Sequence, residues 1–192
     1  MKKARKGTVL TILIMLVVVA GIAAAFFWVR KNRGKESKQE QTEVEKLLEY
    51  DLEGNYPGNA REVVKTYNQI MKCFYNETLS DKELEGLAGQ IRILFDTELL
   101  KRNPLESYLE SLELEIEEYK EKKRTISIIT IQDYDDVIFE TKGEYKTASL
   151  LSCYRMKEGT EQIKSNIRYY LREDEEGKWR ILFWELSNED FE

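Results

Sequence analysis

Apolar residues are spaced in distinct ways along this chain, and each spacing predicts a different kind of element. Between Thr8 and Val29 there is no alternation at all: TVLTILIMLVVVAGIAAAFFWV is 22 residues without a charge. As a helix that run is about 33 Å long, enough to cross the ~30 Å hydrocarbon core of a bilayer. From Thr42, the residues Val44, Leu47, Leu48 and Leu52 give a short amphipathic helix before Gly54 and Pro57. Three longer stripes follow at the helical period. Val63, Val64, Tyr67, Ile70, Met71, Phe74 and Tyr75 come after Asn59 and Glu62, spaced as a capping box. Leu84, Leu87, Ala88, Ile91, Leu94 and Phe95 come after the box Ser80-Asp81-Lys82-Glu83. Leu105, Tyr108, Leu109, Leu112, Ile116 and Tyr119 come after Asn103-Pro104, read as N-cap and first helical residue, with Glu106 at the third.

Past Arg124 the period changes to two. Ile126, Ile128, Ile129 and Ile131 open a β region, Val137-Ile138-Phe139 gives a short second strand, and Glu144 to Met156 a long one. Ile163, Ile167, Tyr169 and Leu171 lie opposite Lys164, Asn166, Arg168 and Arg172, the pattern of a half-buried antiparallel strand. Asp174-Glu175-Glu176-Gly177 then turns the chain into Trp179–Leu186. Strict alternation there gives two apolar faces, Trp179, Ile181, Phe183 and Leu182, Trp184, Leu186. Such a strand needs cover on both sides: helices on one, and a pocket lining, a partner or more of the chain on the other. Helices first and then a meander of long strands predict an α+β domain, about three helices on a curved antiparallel sheet. The chain therefore divides into a basic tail (1–7), a transmembrane helix (8–29), a stalk with a short amphipathic helix (30–56) and an external domain (57–192).

Charge sharpens that division. Residues 1–35 carry eight Lys or Arg and no acid, whereas residues 36–192 carry 22 bases and 36 acids, a net −14. So acidic a domain repels phosphate backbones and excludes nucleic acid as a partner. Four cations precede the span and four follow it, so the positive-inside bias is nearly balanced. A short tail bearing four cations is hard to translocate, which places the N-terminus in the cytoplasm and the acidic domain across the plasma membrane. Ala23-Ala24-Ala25 offers a signal-peptide site, so cleavage after Ala25 stays open. Phe26, Phe27 and Trp28 before Arg30 and Lys31 favour an interfacial belt on an uncleaved anchor. Gly21 and Ala25 form a small-xxx-small pair suited to packing two spans.

The chain contains no histidine and only two cysteines. That excludes Ser-His-Asp and Cys-His nucleophilic machinery, HExxH zinc sites and zinc fingers. No catalytic constellation, metal set or cofactor motif remains. Asp133, Asp135, Asp136 and Glu144 have oxygen-ligand spacing, but Ile138 stands where a calcium loop needs glycine, so the run reads as an acidic turn. Asp96 and Glu98, near Arg92 and Asn103, are the candidate pocket carboxylates, but Asp at a helix start reads better as a cap, with Asp96 capping the helical turn through Leu99-Leu100 and Glu98 solvated. Tyr169 and Trp184 are candidate pocket walls among many aromatics. Cys73 and Cys153 are a candidate disulfide if the helix–sheet interface brings them together, and otherwise two buried thiols. Asn76-Glu77-Thr78 is a glycosylation sequon of low specificity.

The order of elements resembles the nuclear transport factor 2-like fold, a cone of helices wrapped by a bent sheet. The hairpin YYLREDEEGKWRILFWEL looks like the last two strands of such domains. The stretches YPGNAREVVKTYNQIMKCFYN and LFDTELLKRNPLESYL are similar to uncharacterised bacterial proteins with one N-terminal span and an external domain of this kind, and that similarity implies no activity. The layout also resembles inner-membrane assembly subunits of secretion and conjugation machines. These features converge on a single-pass, non-catalytic external domain that binds a protein partner or self-associates. A cone-pocket ligand binder or isomerase-like protein, and an assembly subunit, stand as alternatives.

Overall fold

Side-chain caps fix where most helices begin. In the computed structural model, which describes residues 41–189, α1 (Glu43–Glu49) opens on a reciprocal box between Thr42 and Glu45. Helix α2 (Ala60–Asn76) opens on Asn59, whose side chain accepts from the Glu62 amide, and α3 (Asp81–Ile93) on the Ser80–Glu83 box. Two short elements raise the helix count among the described residues to five. One is α1, which buries Val44 in the common core. The other is α4 (Thr97–Arg102), a six-residue turn capped by Asp96. The last helix, α5 (Leu105–Glu121), starts differently from expectation. Pro104 is its N-cap and supplies no side-chain bond. Asn103 instead closes α4, its side-chain amide donating to the Leu99 carbonyl at 3.0 Å. Proline forces this, because it disfavours helical geometry in the residue before it and puts Asn103 on the α4 side of the break.

The transmembrane helix at 8–29, the basic tail, the cleavage site at Ala25 and the first part of the stalk, residues 30–40, lie outside the described residues. Among the described residues no helix is long and apolar enough to cross a membrane.

Five antiparallel strands form one sheet: β1 (Arg124–Ile131), β2 (Ile138–Lys142), β3 (Tyr145–Glu158), β4 (Glu161–Glu173) and β5 (Trp179–Ser187). The order is β1-β3-β4-β5, with β2 continuing along the β1 side of β3. A 3-10 turn at Tyr134–Asp136 joins the two short strands, which makes the acidic run a connection. Its Asp133 carboxylate lies 3.9 Å from the Arg61 guanidinium.

Two bulges curve the sheet and reset its alternation. The register of β1 against β3 shifts between Ile126 and Ile128, and that of β5 against β4 at Tyr170/Leu171, leaving Ser127 and Leu182 as extra residues. An inserted residue bends its strand and flips every side chain beyond it. Ile181 pairs with Leu171 and Trp184 with Tyr169, two β4 positions on the helix-facing side. Ile181 and Trp184 therefore share a face, where unbroken alternation puts them on opposite ones. Phe183 turns outward and stacks on Tyr170 with ring centroids 4.3 Å apart.

Helix α2 crosses the inner face of the sheet. Ala148, Leu150, Ser152, Tyr154 and Met156 of β3 are all buried there, and Asn68 of α2 hydrogen-bonds Ser152. Near the C-terminus of α2, Asn76 both donates to the Ile126 carbonyl and accepts from its amide, each at 2.8 Å. The sequon asparagine thus replaces a strand neighbour for β1. Alternation along β3 also decides the cysteines. Cys153 lies between Ser152 and Tyr154 and points to the opposite face from α2, so Cys73 and Cys153 are separate, buried, free thiols and not the disulfide considered from sequence. Burial pushes the Cys73 thiol up to about 11, which keeps it protonated and unreactive at neutral pH.

Candidate functional site

A helix repeats its face every three to four residues, so Tyr67, Met71 and Tyr75 stand one above another on α2. Glu115 and Tyr119 do the same on α5. Opposite them, β3 contributes Tyr154 and Met156, β4 contributes Ser165, Ile167 and Tyr169, and β5 contributes Trp184. Together with Ile126 these side chains line a cavity of about 130 Å³ between helices and sheet. That volume is about four liquid waters' worth. A broader groove of about 440 Å³ runs between α3 and α5, but Glu77, Asp81, Glu113 and Glu117 line it and no convergent polar geometry distinguishes it.

The floor of the cavity is a buried polar network. Tyr154 donates to Asn68 Oδ1, the Tyr154 and Tyr169 hydroxyl oxygens are 2.6 Å apart, and Tyr169 also reaches Asn68 Oδ1 at 3.2 Å. Asn68 passes its own amide proton to Ser152 Oγ at 3.0 Å. Aromatic rings form the walls. Tyr67 meets Tyr169 edge-on at 5.4 Å and Trp184 at 5.5 Å. Tyr75 stacks on Tyr119 at 4.0 Å, and the Arg124 guanidinium sits 5.0 Å from the Tyr119 centroid. Tyr119 therefore has both faces occupied.

Two groups are incompletely served. Tyr75 is buried, and its hydroxyl has no hydrogen-bond partner of good geometry. Its strongest electrostatic neighbour is Glu115, which loosely approaches it. Glu115 remains solvent-exposed as a residue while its carboxyl is drawn in among the tyrosines. Desolvation raises the Glu115 pKa, Glu118 adds to the rise, and Tyr75 opposes it. Burial likewise raises Tyr67, Tyr75, Tyr154 and Tyr169. At neutral pH these hydroxyls are protonated hydrogen-bonding groups rather than bases.

The shift on Glu115 carries a stability consequence. A carboxyl whose folded pKa lies above its ordinary 4.5 binds its proton more tightly in the folded chain than in the unfolded one. Its contribution to stability therefore declines as pH rises from 4.5 to the raised value, and is constant above. Glu115→Gln is expected to be more stable than the parent at neutral pH, with the gain vanishing in acid well below 4.5. Urea unfolding of both proteins across that range checks this; a gain independent of pH contradicts it.

Of the residues picked from sequence, Tyr169 and Trp184 meet in the cavity, with ring centroids 6.4 Å apart. Asp96, Glu98 and Arg92 do not. Asp96 is buried and accepts from the Glu98 amide as the cap of α4, and Arg172 grips both its oxygens, through Nε at 2.9 Å and Nη2 at 2.6 Å. Glu98 is exposed and takes the remaining Arg172 nitrogen at 2.9 Å. Arg92 donates to the Asn103 carbonyl at 2.6 Å and lies 5.6 Å from the Tyr108 ring. Asp96 and Glu98 fasten the start of α4 to β4, and Arg92 ties α3 to the end of α4 and to α5.

Sequence reading passed over Tyr67, Tyr75, Asn68 and Glu115 as site residues. The signal for the last was faint: a single charge lying in line with Tyr108, Leu112 and Tyr119 on an otherwise apolar helix stripe. Among the described residues no group of His, Cys, Asp or Glu is arranged to hold a metal ion. A comparison with curated proteins finds no match. The family described as Domain of unknown function (DUF6715) matches residues 1–184, and the chain belongs to that family.

Proposed function

We propose that this protein is a membrane-tethered, non-catalytic module of nuclear transport factor 2-like fold that takes a small ligand into the cavity between its helices and its sheet. One observation carries the reading: an aromatic-walled space of about 130 Å³ in which the buried Tyr75 hydroxyl has only the loose approach of Glu115 and no hydrogen-bond partner of good geometry. Buried polar groups of a finished core are paired, so an incompletely paired one beside a cavity suits a guest's polar atom. Helices followed by a bent antiparallel sheet, closed by the β4–β5 hairpin, support the fold assignment. The uncharged run 8–29 between basic flanks supports a single-pass plasma-membrane anchor with the domain outside the cytoplasm. The lack of histidine and the protonated tyrosines support a binding role over catalysis.

The test is thermal unfolding of the full-length protein in dodecyl maltoside against a library of small organic molecules. Ser165→Phe, which fills the cavity from β4, serves as the blocked form. Ligands of the cavity raise the midpoint of the parent and leave Ser165→Phe unmoved. A library with no compound that separates the two proteins overturns the reading.

A second reading, a protein partner or a second copy docking on β5, has its own support. Leu94 and Asp96 hydrogen-bond the outer side of β5 at Ile181, and the Tyr56 hydroxyl donates to the Trp179 carbonyl at 2.7 Å. Beyond Ile181, Phe183, Trp184 and Leu186 are exposed on an edge strand, the kind of edge to which a further strand adds. An assembly subunit of a secretion or conjugation machine is one form such a role takes.

A further inference from the structure

We propose that the ligand of this cavity is a small organic cation, an alkylated ammonium group held against the aromatic walls with Glu115 as its counter-ion. The inference rests on the cavity being a ligand site and adds the chemical class. Charge gives the sign. Among the described residues Glu115 has no Lys or Arg partner, and no basic side chain lines the cavity. The helix that carries Glu115 holds seven glutamates and one lysine in the stretch LESYLESLELEIEEYKE. Its potential draws cations to the mouth and repels anions.

The walls give the class within the cations. An ammonium bearing methyl groups is attracted by the faces of tyrosine and tryptophan and asks for few hydrogen-bond acceptors, whereas a metal ion asks for several oxygens. With both faces of Tyr119 taken by Tyr75 and Arg124, the contacts fall to Tyr67, Tyr169 and Trp184. The thioethers of Met71 and Met156 complete a soft, polarizable lining. Arg124 does not substitute for the guest, because Glu158 already holds it, at 2.6 Å from Nε and 2.5 Å from Nη2. Tyr75, buried and met only by the loose approach of Glu115, remains to meet a hydroxyl or carbonyl on the guest's other end. A compact guest fits about 130 Å³; a long-chain amine places only its head there.

The experiment uses the full-length protein in dodecyl maltoside, a detergent without ammonium groups, titrated by calorimetry. The probes are choline and 3,3-dimethyl-1-butanol, its uncharged analogue with carbon in place of nitrogen. Choline is expected to bind the parent about tenfold more tightly than the neutral probe, in line with a desolvated cation–π site backed by a carboxylate. Glu115→Gln is expected to erase that preference while keeping the neutral probe's affinity, and Glu115→Asp to restore part of it. Ser165→Phe is expected to bind neither.

Equal or tighter binding of the neutral probe to the parent overturns the cation assignment and leaves the ligand site standing. Binding of neither probe, or undiminished choline binding by Ser165→Phe, overturns the assignment as well. The cavity reading then stands or falls by the library screen. Dihexanoylphosphatidylcholine, added in parallel, separates two sources of the same chemistry. If it competes with choline the cation is a lipid headgroup, and if only choline binds it is a free solute; both outcomes support the assignment.

Discussion

Asp96→Ala is expected to lower the domain's stability by about 3 kcal/mol, the low end of the range for breaking a buried ion pair. Three interactions go at once: the cap on the Glu98 amide and both bonds to the Arg172 guanidinium. The cap alone is worth about 1 kcal/mol. The larger part comes from Arg172, whose side chain is only 16% exposed and loses its principal counter-charge. Glu98 stays within reach of Arg172, and that keeps the loss from the top of the range. Glu98→Gln removes only the exposed partner and is expected to cost under about 1 kcal/mol. Urea denaturation of the two variants at matched slope reads both numbers. Equal losses sink the argument, since they imply that burial does not separate the two carboxylates. Asp96→Ala with Arg172→Met tests it from the other side, because removing the stranded charge should recover part of the loss.

The second large effect belongs to the cavity floor. Asn68→Leu nearly preserves side-chain volume but removes the acceptor of Tyr154 and Tyr169 and the donor to Ser152. Each buried polar group left without a partner costs about 1–3 kcal/mol, so a loss of about 3 kcal/mol is expected once the two tyrosines fall back on each other. Tyr154→Phe deletes one hydroxyl and leaves Tyr169 bonded to Asn68, for about 1 kcal/mol. Combining the two should cost clearly less than their sum, because they belong to one network. Additive losses would show that the hydroxyls do not act together.

Much of the fold was legible because local chemistry repeats locally. The Asn59 and Ser80 caps, the helical stripes behind them and the alternation of faces from Ile163 to Leu171 are decided within a few residues of chain, and the structure has them as read, except that Asn166 and Arg168 on the polar face of that strand are buried as well. Asn103 was misplaced because cap and C-terminal residue compete for one asparagine between two helices, and only the presence of α4 decides which helix claims it. The candidate site was half legible. Tyr169 and Trp184 stood out as aromatics. Glu115 did not, since nothing in a glutamate-rich helix says which carboxyl faces a cavity until the sheet opposite is in place.

What the sequence by itself determined is the longer helices and the strands, their order, the acidic charge of residues 36–192 and the absence of imidazole chemistry, all properties of composition and short-range spacing. The tertiary structure decided what long-range register decides. Leu182 bulges and so brings Trp184 to the inner face beside Tyr169. Asp96 meets Arg172 across 76 residues and becomes a structural pair instead of a pocket acid. Cys153 turns away from Cys73 because a strand alternates faces, and whether a given residue faces in or out depends on every bulge before it.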